Sequence, residues 1–363
     1  MTNHIAITIP FQGGKPITAE VHTPTPKPNE ILVRVLWVAL SPVDIWISDY
    51  GAGDPKWPVV LGENFVGIVE EVGEGAEEFA KGDKVLGFQR GENKLNALQQ
   101  YIPVSKYNLG KVPPNLQVDA ATSTIPDNLV TAVNQLTTGG VKIPIHASIH
   151  PSTSFSPIDL STPILIWGGA TSVGQFTIQI LHYSGYKNII ATASPSNHPL
   201  LQSLGATHTI AYGSPTTTQE ILAAAGGKDV KFALDCVGDE DKSLKGVAEV
   251  LGEGGRVAFM LPVVRKSDKA EAIAGKELLW TADGVKWKDG VKKIGVRTFL
   301  YQQDTHLRET LQPSTIPRLL ADGIVVPQKY WEAPGTTTRD RLEAGLDMLR
   351  KGLSGQRVVI KVD

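Results

Sequence analysis

The spacing of hydrophobic and polar positions changes part-way along the chain. Up to about Thr124, short apolar runs are separated by glycine and proline. Met1–Ile7 reads as a first strand, Glu30–Leu40 (EILVRVLWVAL) alternates and then runs apolar, and Gly67–Gly73 (GIVEEVG) and Lys84–Phe88 (KVLGF) have β-type spacing. Strands punctuated this evenly predict a small barrel or sandwich.

From about Pro163 strand and helix alternate, which predicts βαβ units and a parallel sheet. Ile164–Trp167 is a short buried strand, and the helix after it puts Val173, Phe176, Thr177, Ile180 and Leu181 at helical spacing on one face. Further strands are expected at Asn188–Ala193, Thr209–Tyr212, Val230–Val237 and Arg256–Met260, with a helical piece at Leu200–Leu204 ended by Gly205. Lys142–Pro163 is rich in Pro, Ser and Thr and reads as a surface insertion or linker. The charge-rich stretch Arg265–Glu277 reads as a solvated, mobile loop or helix face. The tail carries a helix at Ile316–Ala321, an amphipathic helix at Arg339–Lys351 and a strand at Arg357–Val362 that is expected to join the N-terminal sheet.

Length and charge narrow the classes. A chain of 363 residues exceeds the size at which one core stops growing, so two domains are expected. With 35 Lys+Arg against 37 Asp+Glu the net charge is -2, which offers no basic stripe for a nucleic-acid backbone. A single cysteine, Cys236, excludes an internal disulfide and favours a reducing, cytoplasmic home, with a cysteine-poor secreted protein as the alternative. Leu160–Tyr186 holds no Asp, Glu, Lys or Arg, but Pro163, Gly168, Gly169, Gln175, Gln179 and His182 interrupt it, giving strand, turn and helix rather than a membrane span. The N-terminus lacks the pattern of a signal peptide. Hydrolase, metalloprotease and NTPase motifs are missing.

The segment Trp167–Gly174 (WGGATSVG) lies between an apolar strand and an amphipathic helix, the setting for a dinucleotide pyrophosphate. Against G-x-G-x-x-G it keeps Gly169 and Gly174 and has Thr171 at the middle position; a tight turn shaped only for chain geometry is the competing reading. Where the fingerprint places an acidic residue for the ribose of NAD, the chain has Ser194-Pro195-Ser196-Asn197-His198. A carboxylate there would repel a 2′-phosphate, whereas hydroxyl, amide and imidazole groups can donate to one, so the site favours NADPH; a merely polar turn at Ser194 and Asn197 is the competing reading.

Four further segments, Ala39–Asp44 (ALSPVD), Leu61–Val69 (LGENFVGIV), Lys81–Val85 (KGDKV) and Asp235–Gly238 (DCVG), make the chain resemble the medium-chain dehydrogenase/reductase family over nearly its whole length. The resemblance implies an α/β fold: a GroES-like β-barrel catalytic domain over residues 1–124 completed by 310–363, and a Rossmann parallel-sheet cofactor domain over 125–309 containing the insertion at 142–163. Zinc-dependent members carry a cysteine near Ser41 and Gly-His-Glu where this chain has Gly62-Glu63-Asn64. The chain therefore looks like the zinc-free branch, quinone oxidoreductases and the trans-acting enoyl reductases of fungal polyketide pathways. The insertion, the SPSN segment and Arg350–Gly355 (RKGLSG) are most similar to the second group.

Carried over residue by residue, the resemblance puts Ala170, Thr171, Ser172 and Val173 at the pyrophosphate and Ser194, Ser196, Asn197 and Tyr212 around the 2′-phosphate. Val43, Asp44, Ile45 and Trp46 fall near the nicotinamide, Met260 and Leu261 beside its carboxamide, and Lys351 toward the phosphate end. Tyr212 as packing, Lys351 as a solvated cation and Met260-Leu261 as core are the alternatives. Relatives often have a Thr-Tyr or Thr-Lys pair where this chain has Ile45-Trp46.

Without metal ligands, hydride addition to a conjugated C=C bond or a quinone is favoured over direct carbonyl reduction, because the charge spreads over the conjugated system. Trp46, Tyr50 and Asn128 are candidate catalytic donors to an enolate oxygen, and Ser41, Asp44 and Asn64 are candidate helpers; Asp44 as a cap or salt-bridge partner, Trp46 as a pocket wall and Tyr50 as an exposed loop aromatic compete. The expected enzyme is an NADPH-dependent reductase acting on a small conjugated substrate, as monomer or homodimer, with no metal, nucleic-acid or membrane partner. Two alternatives stand beside it: a polyketide synthase partner, and a cofactor-binding protein with little turnover.

Overall fold

The structure is a computed structural model that describes residues 3–151, 155–156, 158–269, 272–273 and 275–363. Parts of three expected segments, the first strand (1–2), the Pro/Ser-rich insertion (152–154 and 157) and the charge-rich stretch (270, 271 and 274), lie outside the described residues. The chain divides into two compact units, Met1–Asp127 with Thr305–Asp363, and Asn128–Asp304.

In the first unit the strands β1 (Asn3–Ile9), β2 (Ile17–His22) and β4 (Val59–Val60) form a small antiparallel sheet in the order β2-β1-β4. A seven-stranded sheet is built on β3 (Glu30–Ala39), β5 (Asn64–Val72), β6 (Lys84–Phe88) and β8 (Leu109–Lys111), with β7 (Tyr101–Ser105) also paired to β3. The last strands of the chain, β17 (Tyr330–Glu332) and β18 (Arg357–Lys361), complete it, and β18 runs antiparallel to β3 with Ile360 opposite Val38. The C-terminal strand thus joins the sheet of the N-terminal third. Its β-branched and aromatic side chains, among them Val33, Val38, Phe65, Ile102 and Ile360, are buried together in one core.

Helix α1 (Pro42–Tyr50) follows β3 directly, with proline in its first turn and Gly51 at φ 66 ending it in the left-handed conformation. Helices α2 (Ala120–Ser123), α8 (Thr305–Thr310), α9 (Ile316–Ala321) and α10 (Thr338–Lys351) also belong to this unit, whereas α3 (Pro126–Leu136) lies mostly in the second. At Gly345 a Cβ would fall 3.0 Å from Leu40, so the glycine permits α10 to lie close against the sheet.

In the second unit the strands β9 (Ile164–Trp167), β10 (Ile189–Ala193), β11 (His208–Ala211), β12 (Val230–Asp235), β13 (Leu251–Met260) and β16 (Lys292–Val296) form a parallel sheet in the order β11-β10-β9-β12-β13-β16. Helices α4 (Ser172–Tyr183), α5 (His198–Ser203), α6 (Thr217–Ala224) and α7 (Lys245–Val250) connect the successive strands. The order reverses between β9 and β12, and in open α/β sheets ligands bind at the carboxyl ends of the strands flanking such a reversal.

Three expectations change. Helix α4 is buried almost all round, Gln175, Ile178 and Gln179 included, rather than on one stripe. The insertion is not simply surface: Ile143, Ile145, Ile149 and His150 are buried, and Tyr186 Oη donates to the Pro144 carbonyl at 2.6 Å. The charge-rich stretch is flanked by a hairpin, β14 (Val263–Lys266) against β15 (Lys276–Leu279), in which Arg265 stands opposite Glu277 and ion-pairs with it at 3.1 Å. Cross-strand opposite charges stabilise a two-stranded ribbon. Among the described residues no helix is long and apolar enough to cross a membrane.

Candidate functional site

The glycine turn follows β9. Gly168 has φ 82, and its N–H donates to Thr192 Oγ1 at 3.1 Å while Gly169 N–H donates to the Thr192 carbonyl at 2.8 Å, which ties the turn to the end of β10. A Cβ on Gly174 would lie 2.5 Å from the Gly168 carbonyl oxygen, so α4 can meet the turn only with glycine there. Thr171 is the N-cap of α4: its hydroxyl accepts from Gly174 N–H at 3.1 Å and donates to the Gly168 carbonyl at 2.8 Å. Gln175 Nε2 donates to the Ala170 carbonyl at 3.0 Å and closes the turn from the other side. The result is a close-packed backbone cradle at the positive end of a helix, a shape and charge that fit a pyrophosphate.

Ser194 and Tyr212 follow the last residues of β10 and β11, Ala193 and Ala211, which are paired in register. Their hydroxyls are 3.0 Å apart, with the Tyr212 ring 54% exposed. Ser196 is exposed and Asn197 half-buried on the short 3₁₀ turn that follows. His198 Nε2 lies 3.2 Å from the Ala193 carbonyl, so its imidazole is turned toward the backbone. Met260 ends β13, and Leu261 lies over Gly295, where a Cβ would fall 2.6 Å from it. The sequence-derived cofactor residues of this unit therefore share the carboxyl-terminal edge of one sheet.

Two residues at that edge carry no site role in the sequence reading, which used Asp235–Gly238 only for the resemblance. Val237, 47% exposed, sits over the glycine turn, since a Cβ on Gly168 would fall 2.5 Å from its Cγ2. Asp235, the last residue of β12, is fully buried and accepts from Val237 N–H at 2.9 Å, Gly238 N–H at 3.3 Å and Ser243 Oγ at 2.8 Å. A lone aspartate ending an apolar strand was the available signal. The neighbouring Cys236 thiol is pushed up to about 12 by burial and by the Asp235 charge, so it stays protonated.

The first unit holds the remaining candidates. Val43, Asp44, Ile45, Trp46 and Tyr50 all lie on α1, and the Trp46 and Tyr50 rings meet edge to face with centroids 5.3 Å apart. The Tyr50 phenol is raised above its ordinary value by burial and by the Asp49 charge. Asp49 is gripped by Arg350 of α10 through two hydrogen bonds of 2.8 Å, and Lys351 is exposed at the helix end. The Asp44 carboxylate is turned inward: it accepts from Ser41 N–H at 2.8 Å and from Gly62 N–H at 2.9 Å, the capping geometry. Asn128 is buried on α3, in the second unit.

Around Asp44 lies a buried polar group. Glu63, 9% exposed, is pushed up to about 8 by burial, an effect that Arg90 at 3.3 Å partly offsets. Asn64 Oδ1 accepts from Asp127 N–H at 2.7 Å, and Arg357 Nε donates to the Leu40 carbonyl at 2.9 Å. Polar residues at Gly62–Asn64 embedded in an apolar run were the signal for this group. The donor set does not fit a zinc ion: the Asn64 oxygen is taken by a backbone N–H, Glu63 faces a guanidinium, and neither imidazole nor thiolate is present among these residues. Among the described residues no group of three or more His, Cys, Asp or Glu could hold a metal.

Comparison with known proteins agrees with this layout. Residues 27–114 match the alcohol dehydrogenase GroES-like domain, and residues 172–261 match the family described as zinc-binding dehydrogenase. The trans-enoyl reductase tazE of Aspergillus terreus is 31% identical over 266 residues, covering 70% of this chain and 84% of that protein. The chain belongs to the medium-chain dehydrogenase/reductase family. Within it, the trans-enoyl reductase tndF of Aspergillus flavipes is 28% identical over 98% of both chains. The crystal structure of CurK enoyl reductase shares the fold with a TM-score of 0.76 at 20% identity, covering 99% of each chain. The family is one of oxidoreductases that use a nicotinamide cofactor, and the described fold is its GroES-like and Rossmann-like pair.

Proposed function

We propose that this medium-chain reductase is NADPH-dependent and zinc-independent, and that it reduces an activated C=C bond (an enone, enal or enoyl thioester) or a quinone. The observation that carries the cofactor choice is the hydroxyl pair Ser194–Tyr212, 3.0 Å apart beyond β10 and β11, with no carboxylate there to repel a 2′-phosphate. Ala170–Val173 hold the pyrophosphate at the α4 N-terminus, and Ser196 and Asn197 add donors for the 2′-phosphate. Val43–Trp46, Met260, Leu261 and Lys351 complete the set of cofactor residues.

When bound, the cofactor supplies the hydride. The chain's own groups bind, orient and hydrogen-bond. Tyr50, whose phenol stays protonated at neutral pH, can donate a hydrogen bond and then a proton to the oxygen on which negative charge develops. Trp46 Nε1–H and the Asn128 amide can donate hydrogen bonds to such an oxygen. A conjugated acceptor spreads its charge, so this donor set suffices without a Lewis acid.

The test is loss of reduced-nicotinamide absorbance with a panel of enones, enals, enoyl thioesters and quinones, in the presence and absence of a chelator. NADPH-dependent turnover unaffected by chelator is expected; loss of rate with chelator, or turnover with NADH alone, overturns the proposal. The relatives named trans-enoyl reductases favour a second reading, a partner of a polyketide synthase working on a carrier-bound enoyl chain. Turnover of carrier-bound but not free thioesters identifies it. Binding of NADPH without reduction of any acceptor would instead mark a cofactor-binding protein, the outcome consistent with Ile45-Trp46 in place of a polar pair.

A further inference from the structure

Asp235 is an expensive residue to keep where it is. A carboxylate with no solvent exposure loses its hydration, and an apolar residue of similar size would cost the strand nothing. Its position explains its presence. Asp235 is the last ladder residue of β12, opposite Trp167 on β9 and Phe259 on β13, and Cys236 N–H donates to the Trp167 carbonyl at 2.9 Å. The loops after β9 and β12 therefore leave the sheet at the same level, on the two sides of the strand-order reversal.

The Asp235 side chain then sets the course of the second loop. One oxygen accepts from the N–H groups of Val237 and Gly238, and the other from Ser243 Oγ. Gly238 takes φ 72, where a Cβ would fall 2.9 Å from the Met260 carbonyl oxygen, and its own carbonyl accepts from Val264 N–H at 2.7 Å. The loop so held carries Val237, whose exposed side chain is seated on Gly168.

We propose that Asp235, through its hold on the Val237–Gly238 loop, is a positioning residue for the nicotinamide-bearing half of the dinucleotide. The proposal rests on the dinucleotide reading above and deepens it. The strand order divides the edge of the sheet: the Ser194–Tyr212 pair lies on the β10–β11 side of the glycine turn, and the Asp235 loop lies on the β12 side. A ligand that reaches only the first side is indifferent to Asp235, and one that spans both sides is not. Burial also pushes Asp235 up to about 6, and the protonated acid can keep the same loop by accepting on one oxygen and donating to Ser243 from the other. An asparagine can do likewise.

The experiment is titration of the full chain with NADPH and, separately, with adenosine 2′,5′-bisphosphate, at a temperature where each variant is folded by circular dichroism. Asp235→Ala is expected to weaken NADPH about tenfold or more and to leave the bisphosphate within about threefold, whereas Asp235→Asn stays within about threefold for both. Unchanged NADPH affinity in Asp235→Ala, or equal loss of both ligands, overturns the proposal. If Asp235→Ala does not fold, Ser243→Ala, which removes one anchor of the carboxylate, carries the test: NADPH weakened about fivefold or more with the bisphosphate within about threefold supports the role, and NADPH within about threefold refutes it. Failure of the native chain to bind NADPH sinks the dinucleotide reading itself, an outcome distinct from failure in the variants alone.

Discussion

Arg357 and Asp127 face each other through two hydrogen bonds of 2.9 Å, one to each carboxylate oxygen, with the arginine only 4% exposed. Within the first unit the pair fastens the last strand of the chain to Asp127, whose N–H is held in turn by Asn64. Bidentate geometry is joined by a further bond from Arg357 Nε to the Leu40 carbonyl. Breaking a buried pair leaves one charge without compensation. Asp127→Leu and Arg357→Met are each expected to lower the stability of the first unit by about 3–5 kcal/mol, and the double variant that combines them to recover most of it. Urea unfolding followed by tryptophan fluorescence checks this; additive losses in the double variant would show that the two residues do not act as a pair.

What could be read from the chain follows the range of the interaction. β6 and β9 match the expected strands residue for residue, because alternation and apolar runs bounded by glycine are local signals. The glycine turn was legible for the same reason. The β14–β15 hairpin was not, since Arg265, Lys266, Lys276 and Glu277 face partners across the ribbon and carry no apolar alternation. The buried polar group was legible only at Gly62–Asn64, since Asp127 and Arg357, which join Asn64 there, come from distant points of the sequence. The inward turn of Asp44 was half legible: a cap was among the readings open to it, but nothing local announced the bond from Gly62 N–H.

The Ser194–Tyr212 pair sets an expectation for cofactor choice. An aspartate at 194 places a negative charge where the 2′-phosphate is proposed to lie, and like charges at close range repel. Ser194→Asp is expected to weaken NADPH about a hundredfold and to leave NADH within about threefold. Tyr212→Phe, which removes one hydroxyl, is expected to cost NADPH about 0.5–1.5 kcal/mol. Isothermal titration with both dinucleotides decides it, and equal effects on the two would place the 2′-phosphate elsewhere.

The glycine turn makes a steric prediction. Gly168 combines φ 82 with a Val237 Cγ2 that a Cβ would meet at 2.5 Å, so Gly168→Ala is expected to destabilise the second unit by about 1–3 kcal/mol and to abolish measurable NADPH binding. Gly213 is the contrast. Nothing lies within 4 Å of a Cβ built there, and Gly213→Ala is expected to be neutral or to stabilise by a few tenths of a kcal/mol, up to about 1. Thermal melts with and without NADPH separate the two effects, and a Gly168→Ala protein that binds NADPH normally would refute the cradle.

Tyr50 is the proposed proton donor on α1, edge-on to Trp46. Tyr50→Phe keeps the ring packing and removes the phenol, so kcat is expected to fall about a hundredfold while NADPH affinity stays unchanged. Trp46→Phe, which removes a hydrogen-bond donor but no proton source, is expected to lower kcat by about tenfold. Steady-state rates on any acceptor found in the panel provide the measurement; full activity in Tyr50→Phe would leave solvent water as the source of the proton.

Three buried carboxyls give the fold a pH dependence of definite sign. Burial pushes Asp44 and Asp235 up to about 6 from an ordinary 3.8, and Glu63 up to about 8 from 4.5. The folded chain therefore binds these protons more tightly than the unfolded chain, and stability falls as pH rises wherever the native state holds more protons. Their contribution is fully present below about pH 4, and is lost through about pH 6 for the two aspartates and through about pH 8 for Glu63. At the acid end the slope reverses, because Arg350 and Ser48 outweigh burial at Asp49 and hold it below its ordinary value, so protonating it costs stability. Urea midpoints are expected to peak near pH 5 and decline toward pH 8.5. Glu63→Gln imitates the protonated acid, and Arg90, partly exposed, keeps its solvation. The variant is expected to match the native chain near pH 5, to exceed it by about 2–4 kcal/mol near pH 8.5, and so to flatten the decline. A native profile that rises between pH 5 and 8.5, or a Glu63→Gln protein less stable than native at the alkaline end, would mean that Glu63 is held as a carboxylate by Arg90.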